Sequence, residues 1–513
     1  MSNGRFTMAT TRRRSAGLLA AAAFAVTVLA TPATAASTSL VIATDPFIQS
    51  TCAASTLTNH HANVEPDTFS NGSTIVAAYQ VGRIYDGGAC AIGYATSTNN
   101  GGTWTSGLLP GLTKYVGRGT FDRATDAAVA YDAKHNAWLV SSLVLTETGG
   151  AHGAGILTSR STDGGLTWGN PVVTNDTSSD PDKNWIVCDN TSTSGHYGNC
   201  YTEWDDFGAG NRMEMSTSTD GGLTWGAPKT NNSGIIGGQP VVGPDGTVIV
   251  PTANASETAI GAFSSIDGGV SWSTLTTIAT VKHHKVGGNL REGPLPSAEI
   301  DGNGIVYVTW ADCRFERSCK ANDLVLAHAT DTTGTNWSAV TRIPLDPTGS
   351  GVDHFLPGLA VNKATGGSTA QLGLTYYFYP KKSSALSVGF ASSADGGGTW
   401  SASGTVTGGM ISTWAASTSQ GRMVGDYIST SFGSDNRAHG VYGAAHAPTT
   451  GPSSACSLKA VDNCDAPIET FTSDVVGGSL TGAKDQVLFA GTGGTAAQSS
   501  WNIVDNNGSK HRD

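Results

Sequence analysis

Short apolar segments alternate with polar, turn-rich segments along most of the chain. The apolar segments are rich in β-branched and aromatic residues, as in TIVAAYQ at 74–80, AWLVSSLVL at 137–145, TVIVPT at 247–252, IVYVTW at 305–310 and LGLTYYFY at 372–379. No long segment repeats apolar residues every three or four positions, which is the period of an amphipathic helix. Runs of this length and composition are typical of strands. The pattern therefore predicts an all-β protein.

A short motif ending in tryptophan recurs between these segments. STDGGLTW occurs at 161–168 and again, unchanged, at 218–225. Related copies are STNNGGTW at 97–104, SIDGGVSW at 265–272, SADGGGTW at 393–400 and a degenerate ATDTTGTNW at 329–337. We call these copies boxes. Their tryptophans are 64, 57, 47, 65 and 63 positions apart, a spacing that indicates a repeated supersecondary unit.

Strand pairs between the boxes predict the number of repeats. Seven pairs of strands, each joined by a turn rich in Gly, Asp or Asn, follow one another, and in six of them a third strand leads into a box. A fourth strand after each tryptophan completes a four-stranded antiparallel unit, the format of a β-propeller blade. We predict a seven-bladed propeller over 36–485, closed by the first strand TSLVIATDPF at 38–47. Six blades are the alternative, and 486–513 is expected to form a C-terminal strand and a mobile tail.

The boxes resemble the Asp-box, or BNR repeat, of sialidases and related β-propeller proteins. The residues of each box suit a turn between a third and a fourth strand, because Ser and Asp side chains can bond the backbone, paired glycines permit positive φ, and the tryptophan can pack between blades. Asp163, Asp220, Asp267 and Asp395 are therefore expected to be structural. Over nearly the whole chain after its first segment, the protein is similar to secreted bacterial sialidase-like (exo-alpha-sialidase family) proteins.

The first segment has a different character from the rest. Three arginines at 12–14 precede an apolar run at 16–30, and ATA follows at 33–35, which is the order of a secretory signal peptide over 1–35. A membrane anchor is the alternative, but the run is shorter than the roughly 20 apolar residues that span a bilayer. We expect an extracellular, monomeric protein with no membrane partner after cleavage.

The net charge excludes one class of partner. The chain has 29 Lys and Arg against 40 Asp and Glu. Removal of 1–35 takes away four arginines and no acid, which leaves a net charge of about −15. Such a surface repels phosphates, so no nucleic-acid partner is expected.

All eight cysteines lie after the signal segment, and an even number in an exported chain favours disulfides. Near neighbours in the sequence predict the pairs Cys188–Cys200, Cys313–Cys319 and Cys456–Cys464, which leaves Cys52–Cys90. Zinc binding is the alternative, but the chain has no C-x-x-C pair. The sequence predicts no cofactor and no metal site.

Antiparallel connectivity predicts where charged residues collect. Loops that enter first strands and loops that leave second strands must share one face of a ring, opposite the boxes. Charged residues and tyrosines concentrate in those loops: Glu65, Arg83, Asp122, Arg123, Asp182, Lys183, Glu203, Asp205, Asp206, Arg291, Glu292, Asp312, Arg314, Glu316, Arg317, Asp353, His354, Tyr377, Tyr379 and Arg422. They form either solvated rim pairs or a shallow central pocket in which arginines bind a carboxylate.

The resemblance adds expectations about the site. Sialidases combine an arginine triad, an Arg-Ile-Pro or similar motif before the first box, an Asp acid/base and a Tyr/Glu nucleophile pair. Here Arg342-Ile343-Pro344 falls on an outer strand, and no arginine precedes the first blade after the signal. The resemblance therefore implies substitutes on the rim, which are Asp122 as acid/base, Tyr427 or Tyr377 as nucleophile with Glu203 or Glu292 beside it, and Arg123, Arg291, Arg422 and Arg314 for substrate binding.

The predicted function is that of an exo-acting glycoside hydrolase on terminal acidic sugars, with sialidase activity as the specific expectation. One alternative is a non-catalytic propeller that binds a glycan or a protein. The other is a polysaccharide lyase, in which arginines neutralise a uronate while His or Tyr abstracts the adjacent proton. His60-His61 and His283-His284 are the histidine candidates for that chemistry, unless they have only surface or packing roles.

Overall fold

The computed structural model describes residues 1, 39–48, 50–382 and 385–447 and the strand segments 465–477, 487–488, 502–504 and 510–512. The prediction of an all-β protein is confirmed, because these residues contain strands and no α-helix. Three short 3-10 turns occur, at Phe207–Ala209, Gly367–Thr369 and Ser412–Trp414. Across the described ranges, no helix is long and apolar enough to cross a membrane. The predicted signal segment and the predicted Cys456–Cys464 bridge lie outside the described residues.

Six groups of four strands follow one another along the chain, and within each group the strands pair antiparallel in sequence order. The groups are β2–β5 (His60–Asn71, Thr74–Arg83, Ala89–Ser97, Thr105–Leu108), β6–β9 (Arg123–Asp132, Ala137–Thr146, His152–Ser161, Val172–Asn175), β10–β13 (Pro181–Cys188, Cys200–Asp206, Arg212–Ser218, Lys229–Ile236), β14–β17 (Val241–Val242, Val248–Asn254, Ala259–Ser265, Thr276–Thr280), β18–β21 (Ser297–Ile300, Val306–Asp312, Asp323–His328, Thr341–Arg342) and β22–β25 (Val352–Val361, Leu372–Pro380, Ala385–Ser393, Gly404–Ile411).

The remaining strands include a group made from both parts of the chain. After the short hairpin β26–β27, β28 pairs with β29, β29 pairs with β30, and β30 pairs with β1. The bounds are β1 Ser39–Ala43, β26 Ala416–Thr418, β27 Gly421–Met423, β28 Ser429–Phe432, β29 Ala438–Ala445, β30 Asp465–Gly477, β31 Val487–Leu488, β32 Asn502–Val504 and β33 Lys510–Arg512. The segment 38–47 therefore supplies a strand beside β30.

The first strands of the groups contact one another in circular order. β2 packs against β6, β6 against β10, β10 against β14, β14 against β18, β18 against β22, and β22 against β28, which in turn contacts β2. Apolar clusters fill the spaces between successive sheets, with Trp204 and Trp310 among the largest fully buried side chains. This order surrounds a common axis with first strands. The number of blades stays a prediction.

Four first strands carry the same irregularity near their starts. The register of pairing shifts between Val64 and Asp67, between Thr125 and Ala128, between Asp182 and Trp185, and between Phe355 and Gly358. One residue inside each bulge has a positive φ: 55° at Glu65, 46° at Asp126, 48° at Lys183 and 48° at Leu356. A β-bulge bends its strand and re-aims a side chain. Three of these four bulge residues are charged.

Each box forms the turn between the third and fourth strands of its group. In the box at 161–168, Asp163 Oδ1 accepts hydrogen bonds from the backbone of Leu166 (3.1 Å) and Thr167 (3.0 Å) and from Ser161 Oγ (2.8 Å). The indole of Trp168 donates to the oxygen of Gly165 at 3.1 Å and lies 5.8 Å from the ring of Tyr94 in the preceding group. The box therefore closes its own turn and also packs on the neighbouring sheet.

Three other boxes repeat the bonds of the aspartate. Asp220, Asp267 and Asp395 bond the serine and the backbone of their own boxes in the same way. Hydrogen bonds from Thr167 lower the pKa of Asp163 to about 2, and that from Ser271 lowers the pKa of Asp267 to about 2. An ionised, fully bonded aspartate at each turn fits a structural role.

Three predicted disulfides are present in the structure, Cys52–Cys90, Cys188–Cys200 and Cys313–Cys319. Cys188 and Cys200 face each other across β10 and β11, as expected from adjacent strands. Cys52–Cys90 joins the segment before β2 to β4.

We expect Asp163→Ala to lower the free energy of unfolding by on the order of 1 kcal/mol, because the turn loses several partly solvated hydrogen bonds. Urea unfolding followed by tryptophan fluorescence measures the change. The matched control is Asp176→Ala, at an exposed carboxylate outside the box. Equal midpoints for the two variants would contradict a structural role for the box aspartate.

Candidate functional site

A buried ammonium group lies at the middle of the ring of first strands. Lys183 Nζ is 2.7 Å from Asp426 Oδ2, 3.5 Å from Asp126 Oδ1 and 3.8 Å from Glu65 Oε1. The side chains are almost inaccessible to solvent, with 10% of Lys183 and 2% of Glu65 exposed. Together with Arg291, these residues form what we call the central cluster.

Arg291 is the second cation of the central cluster. Its Nε donates to Asp426 Oδ1 at 2.9 Å and its Nη2 to Asp426 Oδ2 at 2.5 Å, a two-point contact. Its side chain is 19% exposed, more than that of any other member. The backbone amide of Arg291 donates to the oxygen of Arg422 at 2.7 Å, which fixes the loop between β17 and β18 beside the β26–β27 hairpin.

The bulges explain why these side chains meet. Glu65, Asp126 and Lys183 occupy the positive-φ positions of β2, β6 and β10. Asp426 follows Gly425, whose φ is 146° and where an added Cβ would lie 3.1 Å from the backbone nitrogen of Glu65. The amide of Asp426 donates to Glu65 Oε1 at 3.1 Å. The loop before β28 therefore approaches β2 closely enough to place Asp426 in the cluster.

The carboxyl groups of the cluster differ in acidity. Burial raises the pKa of Glu65 to about 7, against the lowering effect of Lys183. Burial also raises the pKa of Asp182 to about 6, and the Asp126 carboxylate adds to this shift. Burial acts in the same direction on Asp426, but the Arg291 and Lys183 cations lower the pKa of Asp426 far below its usual range. The cluster therefore pairs a carboxyl group whose pKa is raised to about 7 with a carboxyl group whose pKa is lowered.

Tyr427 lies beside the central cluster. Its ring is 5.1 Å from Trp185 in an edge-to-face contact, and Lys183 Nζ is 5.9 Å from the ring centre. Its buried hydroxyl has no hydrogen-bond partner in the part of the chain that the structure describes. Burial, and then the Asp126 and Glu65 carboxylates, raise the pKa of Tyr427 well above its usual value. A narrow cavity lined by Tyr427, Trp185 and Leu356 opens at this point.

A second set of titratable side chains lies on the loop before β18 and at the start of β22. His283 Nε2 is 2.8 Å from Glu292 Oε2, and His284 Nδ1 is 2.9 Å from Asp353 Oδ1. Burial lowers the pKa of His283, but the hydrogen bond and charge of Glu292, together with the charges of Glu257 and Asp353, raise it above the usual value. Both histidines are partly exposed, at 21% and 25%. We call His283, His284, Glu292 and Asp353 the rim pairs.

The structure places Asp122 and Arg123 away from the central cluster, in a network between β4 and β7. The fully buried Arg123 donates to Glu147 Oε1 at 2.8 Å, to Asp86 Oδ1 at 2.6 Å and to the oxygen of Gly87 at 2.7 Å. Asp122 accepts from Lys114 at 2.9 Å, and this bond lowers the pKa of Asp122. The side chains of Asp122 and Arg123 are therefore both bonded to other groups of the protein.

Two further candidates are buried between strands. The hydroxyl of Tyr377 donates to the oxygen of Gly443 at 2.6 Å, and its ring stacks on Phe355 at 6.0 Å. Glu203 is fully buried, and its carboxyl oxygens would lie 2.7 Å from a Cβ added at Gly238. Burial, and then the Asp205 carboxylate, raise the pKa of Glu203 well above its usual value.

The remaining predicted arginines have protein partners. Arg422 is 5% exposed and donates from Nη1 to the oxygen of Ala415 at 3.1 Å. Arg314 donates from Nη2 to Asp312 Oδ2 at 2.7 Å and to the oxygen of Thr280 at 2.5 Å. Of the predicted site residues, Arg291 and Tyr427 therefore meet in or beside the central cluster, and Glu292 belongs to the rim pairs.

Sequence reasoning missed Asp126 and Asp426. Asp126 lies inside β6, three residues after Arg123. The bulge between Thr125 and Ala128 directs its side chain toward the axis. A comparison of the strand starts VEPD at 64–67, TDAA at 125–128 and DKNW at 182–185 places a charged residue at the same position in three repeats. That alignment is the signal in the sequence that could have found Asp126.

Comparison with protein-family models and with curated proteins found no match to this chain. Solved structures do match. A PL25 ulvan lyase aligns with a TM-score of 0.46 and 10% identity over 81% of this chain and 94% of its own. The NanB sialidase from Streptococcus pneumoniae aligns with a TM-score of 0.41 and 12% identity over 85% and 70%. A protein of unknown function from Dyadobacter fermentans gives 0.42 and 15% over 67% and 95%. Because these TM-scores are all below 0.5, the assignment of the fold depends on the strand pairing of the chain itself.

We expect Lys183→Met to lower the free energy of unfolding by about 3 to 5 kcal/mol, because it leaves buried carboxylates without their cation. Chemical denaturation at neutral pH measures the loss. The control is Lys229→Met, at an exposed lysine of β13. A loss below about 1 kcal/mol, equal to that of the control, would show that the ammonium does not hold the cluster together.

The buried carboxyl groups with raised pKa values also predict how the stability of the fold depends on pH. Burial raises the pKa of Glu65, Asp45 and Asp67 to about 7 in the folded chain, from 4.5 for Glu and 3.8 for Asp. A folded-state pKa above the unfolded value gives stability that is complete below the unfolded pKa and is lost as the pH rises through the folded pKa. The box aspartates Asp163 and Asp267 have depressed pKa values and lose their contribution only in stronger acid.

We therefore expect the melting temperature to be higher at pH 5 than at pH 8, at constant ionic strength, in differential scanning calorimetry. Asp67→Asn removes one of the raised groups and should reduce this difference. A melting temperature that rises from pH 5 to pH 8 would contradict the assignment of protonated buried carboxyls.

Proposed function

We propose that this protein is a secreted, carbohydrate-active β-propeller with seven blades, and that it hydrolyses glycosidic bonds of acidic sugars in the manner of a sialidase. Three observations support the architecture: the four-stranded groups, the circular order of first-strand contacts, and the boxes at the turns between third and fourth strands. Three disulfides fit an oxidising, extracellular environment. The domain limits 36–485 and the signal segment 1–35 belong to this proposal.

The main support for the proposed hydrolysis is a pair of carboxyl groups in the central cluster whose pKa values are shifted in opposite directions. Glu65, with its pKa raised to about 7, keeps a proton at mildly acidic pH, whereas Arg291 and Lys183 keep Asp426 ionised. Two neighbouring titratable groups whose pKa values are pushed apart are typical of acid/base machinery. Glycoside hydrolysis needs an acid that protonates the leaving oxygen. We assign that role to Glu65.

The other roles follow from position. Arg291, the most exposed member of the cluster, carries the charge that attracts the carboxylate of an acidic sugar. We assign the nucleophilic oxygen to Tyr427, whose hydroxyl has no hydrogen-bond partner among the described residues. As this oxygen attacks the sugar carbon, its proton passes to Asp126, the cluster carboxylate whose charge acts most strongly on Tyr427. The glycosidic bond breaks and its oxygen takes the proton of Glu65. Water then attacks the same sugar carbon and gives a proton to Glu65, while the bond to the tyrosine oxygen breaks and that oxygen takes back the proton held by Asp126.

The rim pairs favour a second candidate, a polysaccharide lyase. His283 is partly exposed, is bonded to Glu292 at 2.8 Å and has a raised pKa. A histidine oriented by a carboxylate can abstract a proton next to a uronate whose charge a cation neutralises. Histidine chemistry at the rim would not require Glu65.

The decisive experiment uses the purified chain with a fluorogenic sialoside, a panel of aryl glycosides and acidic polysaccharides. We expect turnover of an acidic glycoside that declines as the pH rises through about 7, because Glu65 then loses its proton. Glu65→Gln should lower kcat by at least about 100-fold, within the range of a general acid. Glu316→Gln, at a buried glutamate bonded to the backbone of Gly349, is the matched control and should retain activity.

Other outcomes separate the alternatives. Unsaturated uronate released from a polysaccharide, lost in His283→Gln but not in Glu65→Gln, would identify a lyase. No turnover of any substrate together with binding on a glycan array would identify a binding propeller. Equal activity of Glu65→Gln and the unaltered chain would overturn the proposed acid.

A further inference from the structure

Three buried ligand atoms converge between the fifth and sixth strand groups, outside the central cluster. Asp323, Asp346 and His354 each offer a ligand atom that lies within 4.8 Å of the other two. Their buried, unbonded atoms are Asp323 Oδ2, Asp346 Oδ2 and His354 Nδ1. Asp323 begins β20, Asp346 lies in the loop after β21, and His354 is the third residue of β22. The three side chains thus come from separate segments of two neighbouring sheets.

None of these three atoms has a hydrogen-bond partner among the described residues, although each is inaccessible to solvent. Asp323 is 2% exposed and His354 is 4% exposed. Buried polar atoms in proteins are almost always paired, so three unpaired atoms on three side chains that lie this close together require an explanation. A bound cation would satisfy all three at once.

Arg342 fixes the two carboxylates from the other side. Its Nε donates to Asp323 Oδ1 at 2.7 Å, its Nη2 lies 2.7 Å from Asp346 Oδ1, and its Nη1 donates to the backbone oxygen of Asp346 at 2.8 Å. The guanidinium therefore holds both Oδ1 atoms, and both Oδ2 atoms are left without a hydrogen-bond partner among the described residues. Arginine in this position acts as an outer group that orients ligands. Arg342 belongs to the Arg-Ile-Pro tripeptide, so this contact gives that tripeptide a role.

The histidine is also held in place. The backbone amide of His354 donates to the oxygen of Asn322 at 2.9 Å, next to Asp323 in the chain. Its ring lies 5.7 Å from the ring of Tyr376 and 6.3 Å from that of Phe378. Aromatic packing on β23 and the backbone bond to Asn322 leave the imidazole little freedom, so the three ligands are preorganised.

We propose that Asp323, Asp346 and His354 bind a divalent transition-metal ion, Zn²⁺ by preference, at a structural site that joins strands β18–β21 to strands β22–β25. One imidazole nitrogen and two carboxylate oxygens form a ligand set that zinc accepts, with a fourth position for water. Calcium and magnesium favour all-oxygen sites, whereas imidazole favours the later first-row metals.

The site has a consequence for the rim. Asp353, which accepts from the amide of Asn322 at 2.8 Å and bonds His284, precedes His354 directly. A metal at His354 fixes the start of β22 and the loop from Asp346 toward it. Metal binding would therefore stabilise the part of the rim that carries His284.

The test measures zinc binding by the full chain. After treatment with a chelator, the protein is dialysed against ZnCl2, and bound metal is counted by mass spectrometry. We expect one more zinc per chain in the unaltered protein than in Asp346→Asn or His354→Gln, with affinity reduced at least about 100-fold, since even outer groups typically change metal affinity about 10- to 100-fold. His328→Gln, at a half-buried histidine of β20, is the control and should retain the zinc.

Two further measurements keep the result unambiguous. Circular dichroism of the chelator-treated proteins shows whether each variant folds, and Asp346→Asn lies in a loop where folding is expected to survive. Co²⁺ added in place of Zn²⁺ should give visible absorption bands with the unaltered chain and not with Asp346→Asn. Equal zinc content in the unaltered chain and both ligand variants, or binding of Ca²⁺ as tight as that of Zn²⁺, would overturn the proposal.

Discussion

The ammonium group of Lys183 lies within hydrogen-bonding or ion-pair distance of carboxylates from β2, from β6 and from the loop before β28. Carboxylates buried together repel one another and lose their hydration, so they can be brought to one point only if a cation comes with them. Since the three acids belong to first strands or strand starts of different groups, this requirement also links those groups. The charge balance at the axis is therefore a condition of ring closure as well as of any chemistry there.

The bulges are the backbone counterpart of this constraint. A regular strand would alternate its side chains between two faces of the sheet, whereas the positive-φ residue of each bulge departs from that alternation. Glu65, Asp126 and Lys183 occupy one structural position in three repeats, and Leu356 occupies it in a fourth. The repeat thus supplies a fixed scaffold, and substitution at this one position decides whether the axis is acidic, basic or apolar.

Local patterns made much of the fold predictable. The strands follow from short β-branched runs, the box turns from their Ser, Asp and Gly residues, and three disulfides from cysteines that are near neighbours or left over. The residues of the site are harder to predict than the fold, because whether a residue belongs to the site depends on the direction of its side chain. Arg291 and Arg123 both lie at the entrances of first strands, and the resemblance implies Tyr427 and Tyr377 alike, but Arg123 and Tyr377 bond to protein groups elsewhere. A one-residue bulge cannot be inferred from composition or spacing, so neither Asp126 nor Asp426 is predicted as a member of the central cluster.

Strand β30 pairs with β29 on one side and with β1 on the other, and it also meets the start of β2 in parallel. Ser39 therefore lies opposite Ser473, a partner more than 400 residues away along the chain. Pairing over such a separation pays a large loop-closure entropy and cannot begin until the ribosome has made the later strand. The earlier groups can assemble in order during synthesis, while β1 waits with an unpaired edge. This interval is when the nascent chain is most exposed to intermolecular strand pairing.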